Sequence, residues 1–318
     1  MSASISREPD PAGRMAADSA AARTAIVADK SSGAATQSVP IDRRPGLSQR
    51  EFLHDYVLKG RAVIVVGATS HWPAMQKFNF PFFRKHYAHL RHDVRGTSYS
   101  LGEIIDRILT ATPDNPAPYP FNLNFRAHFP ELQNDVLPEV LCGLTDRANH
   151  PLLPGFLLRD TVPYELFFGG PGAAFPRVHY DALWLHNQMI QMVGSKEFFL
   201  YPFEQGEYLY PDPRNPKTSQ VDFTKPDLDR FPLFAKAKPT VVTVNEGEMI
   251  FFPAGVWHAT RIHEPCITFG RIQLNHLNWP AFVNDVAEMW RHRPAVAAGV
   301  RAYLNMTGRV MALQERWQ

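Results

Sequence analysis

The chain has 318 residues, of which 45% are hydrophobic and 20% charged, and a formal net charge of +2. That length and apolar content suit one large domain or two small ones with a real core, and the near-neutral charge gives no electrostatic case for binding nucleic acid. Two cysteines, Cys142 and Cys266, lie far apart and in no CxxC pair. A disulfide framework or structural zinc site is therefore not expected, and a cytoplasmic setting is. No stretch approaches the ~20 apolar residues that cross a bilayer, so no membrane partner is expected.

Residues 1–45 are rich in Ala, Ser, Asp, Arg and Gly and read as a disordered tail. Arg43-Arg44 offers a twin-arginine export reading, but Gln49, Arg50 and Glu51 follow where an apolar run would be needed. Ser48 with Glu51 has capping-box spacing, and Phe52, Leu53, Tyr56 and Val57 recur behind it at helical intervals. Ala62–Val66 reads as a buried strand. Ser100 with Glu103 opens a second helix carrying Ile104, Ile105, Ile108 and Leu109, and Pro113 to Pro120 mark an irregular connection.

From Tyr164 the pattern turns to β. Strands are predicted at Glu165–Phe168, Asn187–Val193, Lys196–Tyr201, Thr240–Val244, Met249–Phe252 and Cys266–Phe269, separated by Gly and Pro turns. The expected fold is mainly β with flanking helices, around a double-stranded β-helix (jelly-roll) core. Beyond Pro280, Phe282, Val283, Val286, Met289 and Trp290 form one helical stripe. After Pro294, Val296, Val300, Tyr303, Leu304, Val310, Met311, Leu313 and Trp317 form another. These stripes either pack on their own domain or build a homodimer. The expected division is 1–45 tail, 46–279 catalytic domain and 280–318 helical extension.

The chemistry centres on His179-Tyr180-Asp181 and on the distal His258 of the segment Phe251 to His258. Side chains at i and i+2 of a strand share a face, so His179 and Asp181 can point together. A third ligand from His258 would complete a 2-His-1-carboxylate set, which leaves open positions on a non-haem Fe(II) for a cosubstrate and O₂. Lys196, on a following strand, could supply a fixed cation for an anionic cosubstrate. His186, His263 and His276 are nearby histidines read as bystanders.

With these residues in view, the chain resembles the JmjC-type, cupin-like 2-oxoglutarate oxygenases, in particular the branch typified by the asparaginyl hydroxylase of hypoxia-inducible factor. The resemblance runs from about Ser48 to Trp279 and includes Gly60 to Gly67, His71-Trp72-Pro73-Ala74, Phe129-Pro130-Glu131-Leu132 and Ser219-Gln220-Val221-Asp222. It implies Fe(II) on His179, Asp181 and His258, and 2-oxoglutarate on Lys196 and Tyr119. Asn187 would lie near the metal-bound end of 2-oxoglutarate, with Asn275 or Gln273 as a second amide. The implied reaction is hydroxylation of a protein side chain or small molecule, with O₂ consumed and succinate and CO₂ released.

Two departures stand out. Two extra residues separate His179 from Lys196, placing Leu183-Trp184-Leu185-His186 in a bulge, and Pro176 stands where the pattern has a threonine donor. The substrate walls are expected from Tyr119 to Arg126, Phe175 to Arg177, Trp184 and the Tyr208–Phe234 loop. Demethylation is disfavoured, because no reader module or zinc-binding cysteine set is visible. The alternatives are a metal cupin of another class, such as an isomerase or a 2-oxoglutarate-independent dioxygenase, and a catalytically silent binding module.

Overall fold

A computed structural model describes residues 39–138, 141, 146–158, 164–175 and 177–315. The proposed tail up to residue 38, Cys142 and Pro176 lie outside the described residues. Seven strands form the larger sheet. In spatial order they are β1 (Ile41–Pro45), β2 (Ala62–Val66), β13 (Glu248–Phe252), β8 (His186–Val193), β15 (Cys266–Gln273), β6 (Tyr164–Gly169) and β5 (Phe121–Asn124). Six form the smaller sheet: β10 (Pro211–Asp212), β11 (Asn215–Asp222), β7 (Arg177–His179), β14 (Trp257–Arg261), β9 (Lys196–Tyr201) and β12 (Thr240–Val244). A separate hairpin pairs β3 (Arg91–Val94) with β4 (Thr97–Ser100). This is the expected β-sandwich core of jelly-roll type with helices around it.

The outer face of the larger sheet is covered by helices α1 (Phe80–Tyr87) and α2 (Leu101–Thr110). Phe83, Ile104 and Ile108 pack there with Val63, Val65, Leu166, Phe168, Phe251 and Phe269 in one apolar cluster. Strand alternation explains why their neighbours Ile64, Ile250 and Phe252 join Phe198 and Leu200 in another, between the sheets. Both capping boxes form, at Ser48/Glu51 and Ser100/Glu103. The first helix continues as a π-turn over Phe52–Val57.

Order begins earlier than Ser48. β1 runs parallel to β2, with Ile41 opposite Ala62. Its sequence, Ile-Asp-Arg-Arg-Pro, has no apolar alternation because it is an edge strand with little to bury. Side-chain charge holds it instead: Arg43 pairs with Glu248, and Arg61 with Asp42 at 2.9 Å. The Arg43-Arg44 pair thus lies within a sheet. The Tyr208–Phe234 segment likewise departs from a plain loop, since β10 and β11 lie inside it.

At the other end, α3 (Trp279–Glu288) and α4 (Pro294–Glu315) pack against the core end of the sandwich. Leu183, Leu185 and Leu274 meet Trp279, Phe282, Val286, Leu304 and Met311 there. Gly308 permits that approach, because a Cβ on it would lie 2.3 Å from Nε1 of Trp279. Tyr303, Met306, Val310 and Leu313 remain exposed on the opposite side of α4. Among the described residues, no helix is long and apolar enough to cross a membrane.

Candidate active site

Register brings the three ligand candidates together. His258 of β14 sits directly opposite His179, the last residue of β7, and Asp181 follows two positions on in extended conformation. One ligand atom from each of His179, Asp181 and His258 lies within 4.8 Å of the others. Oδ1 of Asp181 is 4.0 Å from Nε2 of His179 and 3.9 Å from Nε2 of His258.

The tautomers follow from the backbone. Nδ1 of His179 lies 3.2 Å from the carbonyl of Arg177, and Nδ1 of His258 lies 3.1 Å from that of Val256. A carbonyl only accepts, so each Nδ1 carries a proton, and each Nε2 is the ring nitrogen left facing Asp181. Burial, and then the neighbouring His258 ring, push His179 down to about 4, so it is neutral at pH 7. Phe175 stacks on His179 with ring centroids 4.4 Å apart. Two imidazole Nε2 atoms and a carboxylate oxygen converging from one side fit a divalent transition metal with further positions open.

The cavity beside this cluster, about 300 Å³, lies between the sheets. Glu165, Phe167, Asn187, Met189 and Ile272 line it from the larger sheet, and His179, Lys196, Phe198, His258 and Thr260 from the smaller. Lys196 is 3% exposed. Its ammonium donates to the Tyr119 hydroxyl at 3.4 Å and lies 5.4 Å from the Phe167 ring centroid. No carboxylate among the described residues pairs with it. A buried cation without a counter-anion suits an anionic ligand, because the ligand offsets its desolvation.

Asn187 sits near the metal cluster in a different way from the one expected. Its Nδ2 donates to Oδ2 of Asp181 at 2.6 Å, so it orients a ligand candidate. Asn275 is not at the cavity wall. Its Oδ1 accepts from the Leu277 amide and its side chain lies beside His186. Gln273 is also turned away, donating to Oε1 of Gln188 at 3.2 Å. The reason is register: Gln273 stands opposite His186, at the end of β15 beyond the cavity.

The bystander histidines stay outside the cluster. His186 Nδ1 accepts from the Ala254 amide, and His263 pairs with Glu197. Of the expected walls, Tyr119 and Phe175 hold, whereas Trp184 is buried against Gly255 and Arg126 stacks over Tyr164 at 4.0 Å. The bulge after Asp181 is real, with left-handed backbone at Leu183 and Trp184. The residue the sequence reading missed is Glu165. It appeared there only as part of an apolar strand, although its odd position in a buried alternation was the available signal. Its carboxylate accepts from Nδ2 of Asn122 at 2.7 Å, and burial pushes it up to about 7.

Residues 95–271 match the profile of a family described as a cupin-like domain. JmjC domain-containing protein D of Dictyostelium discoideum is 26% identical over 245 residues, covering 69% of this chain and 52% of its own length. Lysine-specific demethylase 8 of Xenopus tropicalis is 25% identical over 226 residues, covering 67% and 48%. The human bifunctional peptidase and (3S)-lysyl hydroxylase JMJD7 is 26% identical over 249 residues, covering 68% and 78%. The chain thus spans about half the length of the first two. Two of the three names refer to lysine chemistry, where the sequence reading drew on the asparaginyl branch.

Proposed function

The chain belongs to the cupin-like, JmjC-type family of oxygenases, and from that membership and the cavity we propose that it is an Fe(II)- and 2-oxoglutarate-dependent hydroxylase of a protein or peptide side chain. The observation that carries this reading is one cavity holding both a His-Asp-His cluster and a buried, carboxylate-free lysine. An isomerase-type cupin has no need of that lysine.

Bound Fe(II), with 2-oxoglutarate and O₂, supplies the oxidising chemistry, 2-oxoglutarate leaving as succinate and CO₂. His179 and His258 would hold the metal through Nε2, their Nδ1 protons fixed on the Arg177 and Val256 carbonyls. Asp181 would bind through Oδ1 while Asn187 holds Oδ2. Lys196 and Tyr119 would anchor the far carboxylate of 2-oxoglutarate with a charge-assisted pair. Phe167, Phe175, Met189 and Phe198 exclude water from the reacting end.

The names of the matched relatives support a protein substrate and leave hydroxylation beside demethylation. Product mass separates the two: hydroxylation adds an oxygen atom, whereas oxidation of an N-methyl group releases formaldehyde. The primary test is succinate release from 2-oxoglutarate after anaerobic Fe(II) loading. Turnover is expected in the wild type and absent in His179→Ala. Lys196→Ala should retain the metal and lose 2-oxoglutarate binding. Wild-type protein that binds metal but neither binds nor consumes 2-oxoglutarate would move the chain to another cupin class or to a binding module.

A further inference from the structure

The cavity has two electrically opposite ends, and the proposed reaction uses only one. Glu165 and Phe167 are two apart on β6, so they share a face and stand about 7 Å apart along the strand. Lys196 and Tyr119 gather at Phe167, while Glu165 lies beyond it. Among the described residues, Glu165 has Asn122 as its hydrogen-bond partner and no cation as a counter-charge. The Arg271 guanidinium, also at the wall, spends Nε and Nη2 on Oε1 of Gln188.

We propose that Glu165 is a specificity-determining residue that recognises a cationic group, an alkylammonium or guanidinium, on the substrate. This deepens the hydroxylase reading and rests on it for the reaction, though not for the binding. The walls beside Glu165 are apolar, with Phe167, Met189 and Ile272 suited to a methylene stem that ends in a charge. A carboxylate held in such a place is costly without a partner, and an incoming cation supplies one. Asn122 occupies Oε1 and fixes the orientation of the carboxyl, leaving Oε2 for the ligand. The charge of Asp181 also acts on Glu165 in the metal-free site, but a bound divalent metal would offset it, so the preference for a cation rests on Glu165 itself. The cationic end of a substrate would therefore settle near Glu165, with its stem lying between that residue and the metal cluster.

The test uses the full chain loaded with Mn(II) and titrated with three probes by ligand-detected NMR: Nα-acetyl-lysinamide, Nα-acetyl-argininamide and Nα-acetyl-norleucinamide. At least one cationic probe should bind the wild type about tenfold or more tighter than the norleucine probe. Glu165→Gln, nearly isosteric, should bring that ratio close to one, and Glu165→Asp should keep the order of preference. Equal binding of all probes, no binding of any, or a ratio unchanged in Glu165→Gln would each overturn the assignment. Titrating 2-oxoglutarate into the same samples separates the two readings. Cation selectivity that depends on Glu165 without 2-oxoglutarate binding would sink the oxygenase and leave the cation site standing. Binding of 2-oxoglutarate without selectivity would do the reverse.

Discussion

Asp181 has two carboxylate oxygens with separate partners: Oδ2 takes the Asn187 amide, and Oδ1 faces both imidazole Nε2 atoms. Removing the amide frees the carboxylate to rotate, so Asn187→Leu should weaken Mn(II) binding by about 10–100-fold, read by titration under paramagnetic detection. An unchanged affinity would show that Asp181 is oriented without it. At this scale the sequence was partly legible. The His-x-Asp spacing and Lys196 could be read because side-chain alternation in a strand is local. Asn275 was misplaced and Glu165 passed over, because each depends on which residue lies across a neighbouring strand.

Two elements beyond the sheets hold the three ligand candidates in place. The turn from β13 to β14 delivers His258 through Gly255, whose φ of +83° favours glycine and whose added Cβ would lie 2.6 Å from the Trp184 ring. Gly255→Ala should cost about 1–3 kcal/mol from strain and clash, measured by urea unfolding. A Tm within a degree or so of wild type would mean that the turn yields freely. On the other side, α3 supports the bulge after Asp181. Oδ2 of Asp285, which is 4% exposed as a residue, accepts from the Leu183 amide at 3.1 Å and from Lys217 at 2.5 Å. Asp285→Ala strands both donors and should cost about 3 kcal/mol. The Pro294 break between the last two helices was visible in the sequence. The support they give to the bulge was not, since Asp285 is an acidic residue in an otherwise apolar stripe and its partners lie far off along the chain.

For the whole molecule, the cavity between the sheets carries a cost that depends on pH. Burial raises Glu165 from 4.5 to about 7, so folding favours its protonated form. The matching stabilisation is complete below about pH 4.5 and is lost as pH rises through 7. Glutamine resembles the neutral acid, so Glu165→Gln and wild-type metal-free protein should unfold alike near pH 4.5. By pH 8 the variant should be more stable by up to about 3 kcal/mol. Parallel unfolding curves at both pH values would show that the carboxyl ionises without penalty.

What the sequence determined by itself was whatever is written in local period and spacing. The two capping boxes, the central strands, the His-Tyr-Asp triplet and a distant third ligand candidate all belong there, and so does the β-sandwich class. The β1 and β10 edge strands were hidden because edge strands bury little. β11, which pairs on both sides, was hidden because its sequence Asn-Pro-Lys-Thr-Ser-Gln-Val-Asp is almost wholly polar and carries no apolar alternation. Only the tertiary structure decided that His258 lies opposite His179, that Asn187 serves Asp181, and that Lys196 and Glu165 share a cavity. The physical reason is that register between strands far apart in the chain is set by packing of the two sheets, and a shift of one residue would turn each of these side chains to the other face.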